Sequence, residues 1–119
     1  MKWKVEFHPA FLNEFLDYSE TVQDNISSKS LLIKEFGPQL GRPHVDTLKN
    51  SRFSNMKELR LDVDDGVWRV AFAFDPKRNA ILLAAGNKIG KNQGVFYKDL
   101  IRKADKRFDE HLMLVKKGQ

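Results

Sequence analysis

The chain has 119 residues, 41% hydrophobic and 31% charged, with a formal net charge of +5 and no cysteine. This length suits a single domain over residues 1–119 with one real hydrophobic core, and nine Phe and two Trp supply bulky material for it. The lack of cysteine excludes disulfides, thiol catalysis and the usual structural zinc sites. The positive balance favours an anionic partner, and with no signal-peptide or membrane-span pattern the cytoplasm is the expected compartment.

Trp3, Val5 and Phe7 alternate with Lys4 and Glu6, the pattern of a strand with one buried face. His8-Pro9 breaks it, and a proline at a first helical position suits Phe11, Leu12, Phe15 and Leu16 at helical spacing, ending near Tyr18. Ser19 is placed to cap a second helix through Val22, Ile26, Ser30 and Ile33, closed by Gly37 and Pro38, so the pair forms a helical hairpin. From Gly37 to Asn55, with Gly41 and Pro43 as further punctuation, the chain reads as a long irregular connection.

Met56 to Phe74 reads as a β-hairpin whose faces differ in kind. Leu59, Leu61 and Val63 alternate with Glu58, Arg60 and Asp62; Asp64-Asp65-Gly66 is a turn signal; Trp68, Val70, Phe72 and Phe74 then alternate with Arg69, Ala71 and Ala73. If both bulky sets face one core, Glu58, Arg60 and Arg69 share the opposite face, beside alanines that leave room for a ligand. Asp75 to Asn79 is a turn, Ala80 to Ala85 a central strand apolar on both faces, and Gly86 to Asn92 a basic loop. A final helix from near Gly94 carries Tyr97, Leu100, Ile101, Ala104, Phe108, Leu112 and Val115 on one face, and disorder is expected only in the tail from Lys116. The expected fold is α+β: strand, two helices, three strands, helix, with the helices packed on a small, mainly antiparallel sheet.

No phosphate-binding glycine motif is present, and His8, His44 and His111 lack metal-ligand spacing, so neither a metal nor a cofactor is implied. His44, in the polar loop from Gly41, could contact substrate or simply support loop folding. Arg60 and Arg69 lie on neighbouring strands, Lys88 just beyond the next, and Tyr97 opens the last helix. Cations converging with a phenol suit a phosphodiester, because they stabilise charge developing on phosphoryl oxygens. RNA brings its own nucleophile in the 2′-hydroxyl, so such a site need only align it and move two protons. Tyr97 and Glu58 are the proton-transfer candidates, with neighbouring cations expected to lower the phenol's pKa. The alternative is a solvated charged face in which Glu58 pairs with Arg60 or Arg69. Arg102-Lys103 and Lys106-Arg107 are expected to face water, and Trp3 and Trp68 to belong to the core.

The segments Leu40 to Lys49, Lys57-Glu58-Leu59-Arg60, Trp68 to Pro76 and Phe96-Tyr97 resemble the phage-derived, HigB-like branch of the RelE/ParE toxin superfamily, over nearly the whole chain. The resemblance implies a RelE-like fold, here with a long C-terminal helix, and the toxin half of a type II toxin-antitoxin pair. It implies a metal-independent endoribonuclease that cleaves messenger RNA on the ribosome. It also implies a HigA-type helix-turn-helix antitoxin that neutralises the toxin and brings it to operator DNA. Carried over by position, Arg69 would contact the scissile phosphate, Lys88 would supply a second cation, and Tyr97 would stand near the start of the last helix. Arg60 occupies a commonly basic strand position, with Lys57, Arg42 and His44 as further substrate contacts. Glu58 stands where nucleolytic relatives carry a lysine, so the acid-base work is redistributed or the activity is weak. ParE-type members poison DNA gyrase without cutting RNA, and a noncatalytic gyrase binder or an inactive corepressor partner therefore stays open.

Overall fold

Helices cover both faces of a single mixed sheet, and this layering decides where a site can open. The computed structural model describes residues 2–63 and 66–118. In chain order the elements are β1 (Lys4–Phe7), α1 (Pro9–Leu16), α2 (Glu20–Phe36), a 3-10 turn (Gly37–Gln39), β2 (Val45–Thr47), β3 (Lys57–Val63), β4 (Gly66–Phe74), β5 (Asn79–Asn87) and α3 (Gln93–Lys117). The sheet order is β1-β5-β4-β3-β2, with β1 parallel to β5 and every other pairing antiparallel.

The α+β class and the hairpin periodicity match expectation, but the sheet has one strand more than the sequence indicated. β2 lies inside the supposedly irregular connection, too short to show a period, and pairs Val45, Asp46 and Thr47 with Leu59, Glu58 and Lys57. The residues Asp64 and Asp65 of the predicted turn lie outside the described residues. The last helix starts at Gln93, capped by the Asn92 side chain on the Val95 amide, and continues through Lys117, into the tail expected to be disordered. Ser19 caps α2 as expected, its Oγ accepting from the Val22 amide. Gly37 ends that helix at a φ of 59°, where a β-carbon would run into the Trp3 ring.

Alternation sorts the strands into two cores. Val45, Leu59, Leu61, Val70, Phe72 and Leu82 meet Phe11 and Phe15 of α1 and Val22, Ile26 and Ile33 of α2. On the other face Met56, Ala71, Ala73, Ile81 and Leu83 meet Phe96, Leu100, Ala104 and Phe108 of α3. The space beside the alanines is therefore filled by a helix rather than left for a ligand. Small residues there let α3 approach closely, and Gly86 continues the logic, since a β-carbon on it would stand 2.8 Å from the Phe96 ring.

Polar pairs fasten the C-terminal half of α3. The β4-β5 register passes from Ala71 opposite Ala84 to Phe72 opposite Leu82, which leaves Leu83 as a bulge. Its carbonyl accepts from Arg107 Nη1 at 2.8 Å, and the same guanidinium forks onto Glu14 of α1 at 2.9 and 2.6 Å. Arg107 thus faces inward, contrary to the water-facing role that its charged neighbours suggested. One turn on, His111 lies 2.8 Å from the buried Asp75, which also accepts from the amides of Lys77 and Asn79. His8, the N-cap of α1, reaches Glu110 at 3.1 Å. Trp68 lies against Tyr18 at the edge of the α1-α2 core as expected, whereas Trp3 is half-buried outside both clusters, packed edge-on to Phe74 with the Arg78 guanidinium 3.9 Å from its ring centre.

Candidate functional site

The N-terminal end of α3 leaves the sheet face open beside β3 and β2, and a cleft of about 940 Å3 lies there. Its cations come from separate segments: Arg42 from the loop before β2, Lys49 from the loop after it, Arg60 from β3, Lys88 from the turn after β5, and Lys98 and Arg102 from α3. Glu58 and Tyr97 form part of its wall. The register explains the convergence, since Asp46 and Glu58 are cross-strand partners, as are Arg60 and Arg69, and all project on the α3 side of the sheet.

Glu58 and Arg69 are both buried, and the Tyr97 hydroxyl donates to Glu58 Oε1 at 2.9 Å. Arg69 Nε lies 3.8 Å from that same oxygen, beyond hydrogen-bond reach, and Nη1 donates to its neighbour's carbonyl on Trp68 at 2.9 Å. Among the described residues, Arg69 Nε is a buried side-chain atom without a partner. A buried guanidinium nitrogen left unpaired is costly. Lys88 Nζ stands 5.6 Å from the Tyr97 ring centre, in cation-π range.

Burial pushes the Tyr97 phenol above its ordinary value of 10, and the bond and charge of Glu58 push the same way, against a weaker pull from Arg69. This reverses the expectation that cations would lower it. The phenol keeps its proton at neutral pH, which fits it to donate rather than to act as base. Glu58, receiving that proton's hydrogen bond, is the acceptor of the pair.

The predicted site residues divide. Glu58, Arg60, Lys88, Tyr97 and Arg42 line the cleft, whereas Arg69 lies beneath its floor behind Glu58 and Tyr97. Lys57 and His44 are not brought there. Lys57 sits in register with Phe72, hence on the α1-α2 side, and His44 Nδ1 meets Lys29 Nζ of α2 at 2.8 Å. Among the described residues no group of three or more His, Asp and Glu could hold a metal ion.

The family model described as Phage derived protein Gp49-like (DUF891) matches residues 13–109. The chain belongs to the Gp49-like family. Two Mycobacterium tuberculosis (strain ATCC 25618 / H37Rv) proteins with toxin names are similar to it: HigB2, 50% identical over 82 residues, and HigB3, 47% identical over 81 residues. Each match takes in 68% of this Gp49-like chain, but it spans 40% of HigB2 and 68% of HigB3. A free-state structure of an E. coli toxin RelE mutant superposes with a TM-score of 0.63 at 16% identity, over 90% of this chain and 98% of that one. The HigB-like, RelE-fold resemblance read from the loop and hairpin residues is borne out, and the Gp49-like chain has the RelE-like fold.

Sequence reasoning passed over Asp46 in this Gp49-like site. Its Oδ2 accepts from Arg42 Nη2 at 2.6 Å and stands 3.8 Å from Arg60 Nη1. The available signal was the spacing of four between Arg42 and Asp46, which lay in a segment read as loop.

Proposed function

We propose that this Gp49-like protein is the toxin of a type II toxin-antitoxin pair and an endoribonuclease acting on messenger RNA at the ribosome. The observation that carries the reading is the Tyr97-Glu58 hydrogen bond over Arg69, set in the wall of a cleft rich in Lys and Arg. A phosphodiester placed at the acid-base pair would meet Lys88 at its oxygens, with Arg69 as the cation below and Arg60 farther along β3. Glu58 would take the proton of the 2′-hydroxyl as its oxygen bonds to phosphorus, and the bond from phosphorus to the 5′-oxygen would break. Tyr97 would give its proton to that departing oxygen, leaving a 2′,3′-cyclic phosphate and a 5′-hydroxyl. Glu58 in this role answers the departure from the lysine of nucleolytic relatives: acid and base are redistributed to a carboxylate and a phenol. These steps use side chains alone.

The toxin names of HigB2 and HigB3 support a cognate antitoxin as partner, and we place it in the helix-turn-helix class of HigA, with operator DNA reached only through it. No helix among the described residues is long and apolar enough to cross a membrane, and the proposed place of action is the cytoplasm. The test is cell-free translation with mapping of transcript ends, using wild type, Glu58→Gln and Tyr97→Phe. Cleavage within codons by wild type, reduced in both variants, is expected. Intact transcripts, with gyrase trapped on DNA, would replace this reading with that of a noncatalytic toxin.

A further inference from the structure

Asp46 is the most heavily contacted carboxylate on the open side of the cleft. Its Oδ2 accepts from Arg42 Nε at 3.1 Å and Nη2 at 2.6 Å and lies 3.8 Å from Arg60 Nη1, while Oδ1 accepts from the Thr47 amide at 2.8 Å. The Arg42 bond, with that of the Thr47 amide, holds its carboxyl below the ordinary value, so it is charged at neutral pH. Arg42 comes from a loop and Arg60 from mid-strand, and without an anion between them their charges would repel. One carboxylate oxygen bridging two guanidiniums stands where a phosphate oxygen would make the same contacts. Glu58, the other carboxylate of this wall, is instead committed inward to Tyr97.

We propose that Arg42 and Arg60 form a second phosphate subsite, and that Asp46 is its resident counter-ion, displaced when a nucleic-acid strand binds. The inference rests on the nucleolytic reading of the cleft, and names how that cleft engages its substrate. Arg60 lies two residues along the strand from Glu58, about 7 Å at ordinary strand rise. The subsite therefore takes a phosphate neighbouring the one at the acid-base pair, and the ligand class is a single strand carrying consecutive phosphates rather than a mononucleotide. Asp46 touches no reacting atom and is a positioning residue. It holds the two arginines near one another against their mutual repulsion, and it admits only a ligand that can compete with a carboxylate for them.

The experiment is fluorescence anisotropy of a labelled all-2′-deoxy single strand, which can bind but offers no 2′-hydroxyl to cleave. Asp46→Asn, which keeps an oxygen for the Thr47 amide, is expected to bind about 5–10-fold tighter than wild type, the size of one modest charge contact. Adding Arg60→Gln should abolish that gain. Asp99→Asn, which removes the same charge beside Arg102 on α3, should change affinity less than about twofold, because that exposed pair is weak. Unchanged or weaker binding by Asp46→Asn, or an equal gain in Asp99→Asn, overturns the subsite. If neither wild type nor Asp46→Asn binds the strand, the subsite and the nucleic-acid reading fall together. If the expected affinities appear but transcripts stay intact in translation, the subsite stands and the nuclease reading alone fails.

Discussion

The two ends of α3 use the same chemistry, an arginine with a glutamate, and complete it to different degrees. At the C-terminal end Arg107 has a forked bond to Glu14 and a bulge carbonyl from Leu83, and His111 rests on an Asp75 whose other contacts are also made. At the N-terminal end Arg69 faces Glu58 from 3.8 Å with its Nε unpartnered, and Tyr97 has taken the carboxylate oxygen instead. Saturated polar pairs fix architecture, whereas a buried pair held apart leaves bonding capacity unused. On the proposed reading, the difference also separates stability from function along one helix.

That separation can be broken by mutation. Glu58→Gln loses the base, and cleavage by the folded fraction is expected to fall about 10²–10⁴-fold, with some loss of stability because the buried Arg69 loses its nearest anion. Tyr97→Phe leaves that charge in place and is expected to lose cleavage with a nearly unchanged urea midpoint; a large loss of stability in it would mean that the Tyr97-Glu58 bond is an anchor like that of Arg107 and Glu14. The converse is Arg107→Met, expected to lose about 2 kcal/mol in urea unfolding while the folded fraction cleaves at the wild-type rate. A loss of cleavage beyond the unfolded fraction would show that the two ends are coupled.

Gly86→Ala tests the joint between them. Its β-carbon would press on the Phe96 ring, next to Tyr97, and a loss of about 1–2 kcal/mol is expected in thermal melts, with some loss of cleavage as α3 shifts. The smallest effect is with pH. Arg107 holds the Glu14 carboxyl below its ordinary value of 4.5. Burial alone would raise Asp75, but the bonds from His111, Asn79 and Lys77 together outweigh it and leave it below 3.8. Both folded values lie below the unfolded ones, so their contribution is whole above the unfolded values and fades as pH falls through the folded ones. Urea midpoints between pH 7 and 2.5 should therefore drop on the acid side, less steeply in Glu14→Gln.

Much of this was legible in local pattern. The period of two from Met56 to Phe74 and the period of 3.6 in α2 and α3 are properties of single elements, and each was found where predicted. What a face packs against is not local. Ala71 and Ala73 read equally as room for a ligand or for a helix, and α3 fills it. Arg107 sits in a run of charges that reads as solvated, and only the bulge at Leu83 and the nearness of α1 turn it inward. β2 has three residues just beyond the glycine and proline punctuation of Gly37 to Pro43, too few to show alternation, and with it Asp46 was lost. The rise in the Tyr97 pKa follows from burial against Glu58, a contact between residues 39 positions apart.

β5, though late in the chain, lies between β1 and β4, and the helix that follows it brings Tyr97. While the chain is being synthesised, its first strand has no neighbour to pair with until residues 79–82 have emerged. The proposed acid-base pair forms later still. On the proposed reading, a ribosome making this protein thus faces an unassembled weapon for most of the time it takes to build it.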